Sequence, residues 1–238
     1  MEDNKGKLYL IPTRLGDNPP LEVLPISIKK VVESINHYIA ENEKSARRFI
    51  KRITPSKSQS SLSFKVLNKY TTHEDKATFL NACLEGNSVG LLSEAGCPAI
   101  ADPGSDIVRM AHQLGVKVIP LVGPSSILLA LMASGMNGQN FTFNGYLPID
   151  RNERKRKLKQ LEKLSKEQNQ AQIFIETPYR NEKLLDDITQ ALYPETRLCV
   201  ASDLTLPTEY IKSQAIKYWR NHKADLHKRP TIFILQKD

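Results

Sequence analysis

The feature that most constrains this chain is a repeating order: a short apolar run, a loop rich in turn-forming residues, then a segment with helical spacing. In the first half His37–Ala40 (HYIA) reads as a strand and Phe64–Leu67 (FKVL) alternates like one, while Leu8–Ile11 (LYLI), Val89–Leu92 (VGLL) and Val116–Val122 are apolar runs. Runs of this kind, bounded by turn residues, read as buried strands of a parallel sheet. Leu21–Val32, Glu43–Arg52, His73–Glu85, Ile107–Leu114 and Ile127–Ala133 read as helices. Pro25 limits the first of these upstream, Gly86 serves as a C-cap for the third, and Pro120 argues for an edge or a bulge in the last strand. The second half repeats the style, with strands at Phe141–Phe143, Ile173–Ile175, Leu198–Ala201 and Thr231–Leu235 and helices at Arg151–Leu164, Glu182–Leu192 and Thr208–Trp219. Alternating strands and helices point to an α/β fold with a parallel sheet. Two α/β domains are expected, 1–120 and 121–238, with residues 120–126 as the hinge.

The 238 residues carry a formal net charge of +8, which favours contact with polyanions, nucleic acid first among them. Solubility alone is the plainer account of such a charge. The basic residues gather at Lys44, Arg47, Arg48, Lys51 and Arg52 and again in Arg151–Lys159 (RNERKRKLK). Each cluster is either a solvated helix face or a phosphate-contacting surface. The three cysteines, Cys83, Cys97 and Cys199, form neither a metal pattern nor a disulfide framework and fit a reducing compartment. The start, MEDNKGK, carries no apolar signal region, and the most apolar stretch, Val116–Met136, is interrupted by Pro120, Gly123 and Pro124. A soluble, cytoplasmic protein without a membrane span is expected.

Open α/β sheets bind ligands at the carboxyl ends of their strands. Four loops in such positions, 12–20, 93–104, 123–126 and 176–180, are rich in glycine, proline and small polar residues that let backbone approach a ligand. The common nucleotide signatures, GxGxxG and GxxxxGK[ST], are absent, as is a GxSxG elbow. The five histidines, 37, 73, 112, 222 and 227, show no ligand spacing, so no metal site is expected.

Four segments carry a resemblance: Val89–Gly104 (VGLLSEAGCPAIADPG), Val118–Gly135 (VIPLVGPSSILLALMASG), Phe141–Pro148 (FTFNGYLP) and Phe174–Arg180 (FIETPYR). In order and spacing they resemble the tetrapyrrole methylase superfamily, closest to its ribosomal small-subunit RNA methyltransferase I branch, which methylates a cytidine ribose 2′-hydroxyl. The resemblance implies two α/β domains, mainly parallel in the N-terminal half and mixed in the C-terminal half. It also implies S-adenosylmethionine in the cleft between them, RNA as substrate and a homodimer. It places cofactor contacts at Pro12, at Glu94, Ala95, Gly96 and Ile100, at Ser125 and Ser126, at Thr177, and at Pro230 or Thr231.

The chain is a divergent member by this resemblance. Where the branch has a GTPIGN-type loop, Pro12-Thr13-Arg14-Leu15-Gly16-Asp17-Asn18 stands. Where it has AEDTR, this chain has Ala40-Glu41-Asn42-Glu43-Lys44, and Thr71-Thr72 replaces a His-Asn pair. Methyl transfer from a sulfonium is an in-line displacement served by positioning and desolvation, and a hydroxyl nucleophile gains from a base. Glu41 is the candidate base and Arg47 the candidate substrate or phosphate anchor; the plainer roles are a helix cap and a solvated charge. A tetrapyrrole or other small-molecule acceptor is the alternative within the enzyme class. A non-catalytic RNA-binding protein that keeps the fold is the alternative outside it.

Overall fold

Residues 4–238 are described by a computed structural model; the first three residues of the polar MEDNKGK start lie outside the described residues. In chain order the elements up to Ser125 are β1 (Lys7–Ile11), α1 (Pro20–Val23), α2 (Ile26–Ser34), β2 (His37–Ala40), α3 (Glu43–Ile53), β3 (Ser63–Val66), α4 (His73–Ala77), α5 (Asn81–Leu84), β4 (Val89–Leu92), α6 (Ser105–Gln113) and β5 (Lys117–Pro120). From Ser126 onward they are α7 (Ser126–Ser134), β6 (Phe141–Tyr146), α8 (Arg151–Gln168), β7 (Ala171–Ile175), α9 (Asn181–Ala191), β8 (Arg197–Ser202), β9 (Tyr210–Ala215), α10 (Ile216–Trp219) and β10 (Thr231–Gln236). The chain divides into two compact units at Ser125/Ser126.

The first unit is built on a five-stranded sheet in the order β3-β2-β4-β1-β5, with every neighbouring pair parallel. Alternate residues of its strands join two different cores. Ile11, Tyr38 and Leu92 pack with α2 and α3, whereas Leu8, Ile39 and Leu91 pack with Leu80, Ile107 and Ala111. Side chains alternate across a strand, so the central strands β1, β2 and β4 are covered on both faces and read as mainly apolar runs, while the edge strands β3 and β5 are more exposed. Pro120 ends β5 at the sheet edge, where the missing N–H breaks no interior ladder.

Two expected helices are broken in this unit. Leu21–Val32 becomes α1 and α2, because Pro25 cannot donate to the preceding turn and leaves Leu24 extended (φ −111°, ψ 134°). His73–Glu85 becomes α4 and α5. The first starts on a Thr72–Asp75 capping box, and Gly86, at φ +88°, follows the end of the second.

The second unit carries a mixed sheet, β6-β7-β10-β8-β9, in which only β6 and β7 run parallel. Phe174 and Phe233 stack on one face at 5.9 Å, against Leu158, Leu161, Leu184 and Ile188 from α8 and α9. The expected helix Thr208–Trp219 is corrected here. Tyr210–Ala215 pairs residue for residue with β8, and only Ile216–Trp219 forms a helical turn. Its tyrosine, isoleucine and alternating polar residues suit a half-covered edge strand, and the partner strand outweighs local helical spacing. Trp219 then anchors the turn by donating to the Leu198 carbonyl at 3.1 Å.

α8 runs past the expected Leu164 to Gln168, started by Asp150 and stopped by Asn169 in a left-handed conformation (φ 46°). Its Arg154 is buried and donates to Asp187 of α9 and to the Pro148 and Ile149 carbonyls. Among the described residues no helix is long and apolar enough to cross a membrane.

Candidate active site

β1 and β4 are parallel neighbours, so the segments leaving their carboxyl ends emerge side by side. Thr13 and Gly96 close this exit with a two-way backbone bridge, N–H to carbonyl at 2.9 and 3.3 Å. The Thr13 and Ser93 hydroxyls lie 3.2 Å apart in the buried corner beneath it, and Ser93 donates onward to the Gly96 carbonyl. The segment after β5 joins them: the Cys97 thiol reaches the Pro124 carbonyl at 3.5 Å. A Cβ on Gly123 would stand 2.3 Å from the Pro12 Cβ, so only glycine permits that approach.

The loop Ser93–Gly104 is held in an uncommon backbone shape. Gly96 and Gly104 have positive φ, and so do two alanines, Ala99 (64°) and Ala101 (57°). A left-handed residue with a Cβ is disfavoured and persists where surroundings over-determine it, commonly at ligand sites. Glu94, Ala95 and Ile100 are left exposed on this loop, Ile100 by 56%.

α3 approaches from the adjacent strand. Asn42 caps it by accepting from the Lys44 and Ser45 amides, and the Ser45 hydroxyl bonds Glu94, with its two carboxylate oxygens at 2.7 and 2.9 Å. A cleft of about 190 Å³ lies here, lined by Thr13, Arg14, Leu15, Ser45, Arg48 and Glu94 among others. Asp17 on its rim pairs with Arg52 and Arg14, which in that order hold its carboxyl below the ordinary range. Beside it Asn18 is buried, and neither polar atom of its side chain has a partner among the described residues.

Asp102 is the perturbed acid of this region. Burial first, then the charge of Glu41 and, to a lesser degree, that of Glu94, push its pKa up to about 6, against a smaller opposing hydrogen bond from the Glu94 backbone. Glu41, Glu94 and Asp102 thus form one field of carboxylates at the ends of β2 and β4.

Pro12, Glu94, Ala95, Gly96, Ile100 and Ser125 all lie in the first unit, where the Thr13–Gly96 and Cys97–Pro124 bonds join the loops that carry them, and the Glu41 charge acts on Asp102 of the same Ser93–Gly104 loop. Arg47 has other employment: it donates to Glu43, to the Gln59 carbonyl at 2.6 Å and to the Leu62 carbonyl, and stacks over Phe64. In the second unit Ser126 opens α7. Thr177 follows β7, where its amide donates to Glu176, and the Thr231 hydroxyl starts β10 bonded to Ser202 and the Arg229 carbonyl. β7 and β10 are antiparallel neighbours, so Thr177 and Thr231 share one end of that sheet. Pro230, beside it, accepts from the Asp203 amide. Sequence reasoning missed Ser45, Asn18 and Asp102; the Asp102-Pro103-Gly104 turn was visible, but the field acting on it was not.

A family model described as Tetrapyrrole (Corrin/Porphyrin) Methylases matches residues 23–217. The chain belongs to this family and is an S-adenosylmethionine-dependent methyltransferase. It is 30% identical over 222 residues to a ribosomal RNA small subunit methyltransferase I of Vibrio cholerae, covering 91% of this chain and 73% of that protein. A protein of the same name from Buchnera aphidicola is 28% identical over 233 residues, covering 97% and 78%. The solved structure of the methyltransferase CobJ superposes with a TM-score of 0.63 at 14% identity, over 98% of this chain and 94% of that one, and shows the shared fold.

The residues present fit the family's cofactor. A nucleoside with an amino-acid tail is held mostly by backbone groups, a few polar side chains and apolar walls. Gly96 and the left-handed alanines present backbone, Ile100 presents an exposed apolar side chain, and the Asn18 amide has unmet hydrogen-bonding capacity. Among the described residues no group of three or more His, Cys, Asp or Glu side chains could hold a metal ion.

Proposed function

We propose that the methyl acceptor is RNA, at a ribose 2′-hydroxyl of small-subunit ribosomal RNA. The observation that carries this is α3. Its first turn bonds Glu94 through Ser45, its Arg48 lines the cleft, and its Lys44 and Lys51 are exposed. A basic helix tied to the cofactor-side loop is suited to phosphates flanking a reacting nucleotide. The similarity to the Vibrio and Buchnera proteins named ribosomal RNA small subunit methyltransferase I supports the same reading.

The proposed cofactor contacts are Pro12, Glu94, Ala95, Gly96, Ile100 and Ser125 on the first unit and Ser126, Thr177 and Thr231 on the second. When bound, S-adenosylmethionine supplies an electrophilic methyl group. The chain's own task is to hold the acceptor oxygen in line and to take up its proton. Glu41 is the proposed proton acceptor. Its charge acts on Asp102 of the loop that carries the proposed cofactor contacts, which sets a carboxylate beside the proposed methyl donor. Arg47 is proposed to serve the substrate through the 59–62 segment it braces. The three free thiols support a reducing compartment such as the cytoplasm, and a homodimer is the proposed assembly.

The test is transfer of label from the methyl-labelled cofactor to small ribosomal subunits, naked ribosomal RNA and porphyrin precursors in parallel. Label in RNA at a ribose is expected. Glu41→Gln should lower turnover about 100-fold at unchanged cofactor affinity; full turnover would remove Glu41 from the chemistry. Label in the porphyrin arm alone would replace the RNA reading with a tetrapyrrole one.

A further inference from the structure

The second unit holds a groove of about 880 Å³, far larger than the cleft beside Glu94. One wall is the carboxyl-terminal half of α8, whose Lys159, Lys163 and Lys166 recur at spacings of four and three and so share a face. The end of α9 with the Leu192–Pro194 turn lines the groove as well, together with Arg220 and Lys237. Five cations therefore face two carboxylates. Of these, Glu162 is buried and spent on the Tyr193 amide at 2.9 Å and the Thr196 hydroxyl. Glu167 pairs with Lys163 at 3.7 Å. Lys159 and Lys166 are exposed and have no partner among the described residues.

Beside the lysines stands Tyr193, 66% exposed, with Lys237 Nζ 5.1 Å from its ring centre. The bond from its amide to Glu162 pins its backbone, so the ring is presented from a fixed base. A solvated helix face explains exposed lysines, but not a large concavity with an exposed aromatic ring on its rim. Cations along a groove with an aromatic platform beside them are the arrangement that tracks single-stranded nucleic acid. Lys159 to Lys166 covers about 10 Å of helix, which spreads charge along a strand instead of gathering it about one phosphate.

We propose that this groove binds single-stranded RNA, with phosphates on Lys159 and Lys166 and a base stacked on Tyr193. It rests on the RNA reading above, and would hold a stretch of substrate outside the methylated nucleotide.

The experiment is fluorescence anisotropy of a labelled, unstructured 12-mer RNA with the full chain across a salt series, beside calorimetry of the cofactor. Lys159→Ala/Lys166→Ala should weaken RNA binding about tenfold at low salt. It should also flatten the slope of log Kd against log salt by about 1.4, two contacts at about 0.7 each for single strands. Tyr193→Ala should weaken binding about tenfold with the slope unchanged, and Tyr193→Phe should bind as the parent does. Cofactor affinity should hold throughout, which separates these effects from misfolding. Parent-like RNA affinity and slope in both alanine variants, with the parent still methylating RNA, would overturn the groove and leave the RNA reading standing. Absence of RNA binding by the parent would overturn both. Displacement of the RNA by micromolar UMP would overturn the proposal in favour of a free-nucleotide site.

Discussion

The helices α3 and α8 look alike as sequence: each is basic and each starts on an Asn or Asp cap. Their first turns are wired in opposite ways. α3 sends Ser45 outward to Glu94 of the loop at the sheet's carboxyl edge, while its Arg47 braces residues 59–62. α8 sends Arg154 inward to Asp187, assisted by Arg151. Part of the basic run Arg151–Lys159 is therefore structural cement, and the charge free to meet a ligand lies further along the helix. A count of basic residues cannot make this distinction, because what a guanidinium does depends on the anion opposite it.

The largest effect is expected where α8 is tied inward. Burial raises Asp187, but hydrogen bonds and charge from Arg154 and Arg151 outweigh it and hold the carboxyl below its ordinary range. Asp187→Ala would strand a buried guanidinium and should cost about 3–5 kcal/mol, read by urea denaturation. The sign follows from the depressed pKa: the contribution is present above the unfolded carboxyl's value and lost as pH falls through the lower folded one. A loss below about 1 kcal/mol would break the contrast, since α8 would then be no more tied down than α3.

A middle-sized effect is expected for Arg47. Arg47→Ala removes two carbonyl hydrogen bonds and a stack on Phe64 and should cost about 2 kcal/mol, with turnover falling in step as the 59–62 segment loosens. Unchanged stability with lost turnover would assign Arg47 to the substrate directly and make α3 the more exposed of the two helices in function.

The smallest effect sharpens what α3 is coupled to. Asp102 has a raised pKa, so its neutral form favours the fold; that contribution is complete below the unfolded value near 3.8 and is lost as pH rises through about 6. Asp102→Asn should thus match the parent below pH 4 and become more stable between pH 4 and 6. The gain should level off above pH 6 at about 1 kcal/mol after allowing for solvent screening. A gain already full at pH 4 would mean that Glu41 and burial do not act on this carboxyl.

Much of the fold was legible because it rests on local rules. Leu8–Ile11, Tyr38–Ala40 and Val89–Leu92 carry no charged or strongly polar residue because both faces of these central strands are covered. Thr208–Trp219 was not legible: its six strand residues take their conformation from β8, a partner that spacing within the segment cannot reveal. The same holds at the site. The turn residues of Ser93–Gly104 mark a loop that needs unusual backbone, and Ala99 and Ala101 bear this out with their positive φ. Nothing in the line of letters placed Ser45 against Glu94 or the Glu41 charge near Asp102, because those neighbours lie 49 and 61 positions apart.

What the sequence alone determined is the alternation of strand and helix, the family, and the place of a loop with unusual backbone. These follow from periodicity, turn chemistry and motif, which act over a few residues. Tertiary structure alone decided which charges are free: Arg154 is sealed against Asp187, Arg47 is bound to carbonyls, and Lys159 and Lys166 line a groove. Electrostatic energies depend on distance and burial in space, so residues with the same formal charge acquire different roles only once the chain has folded.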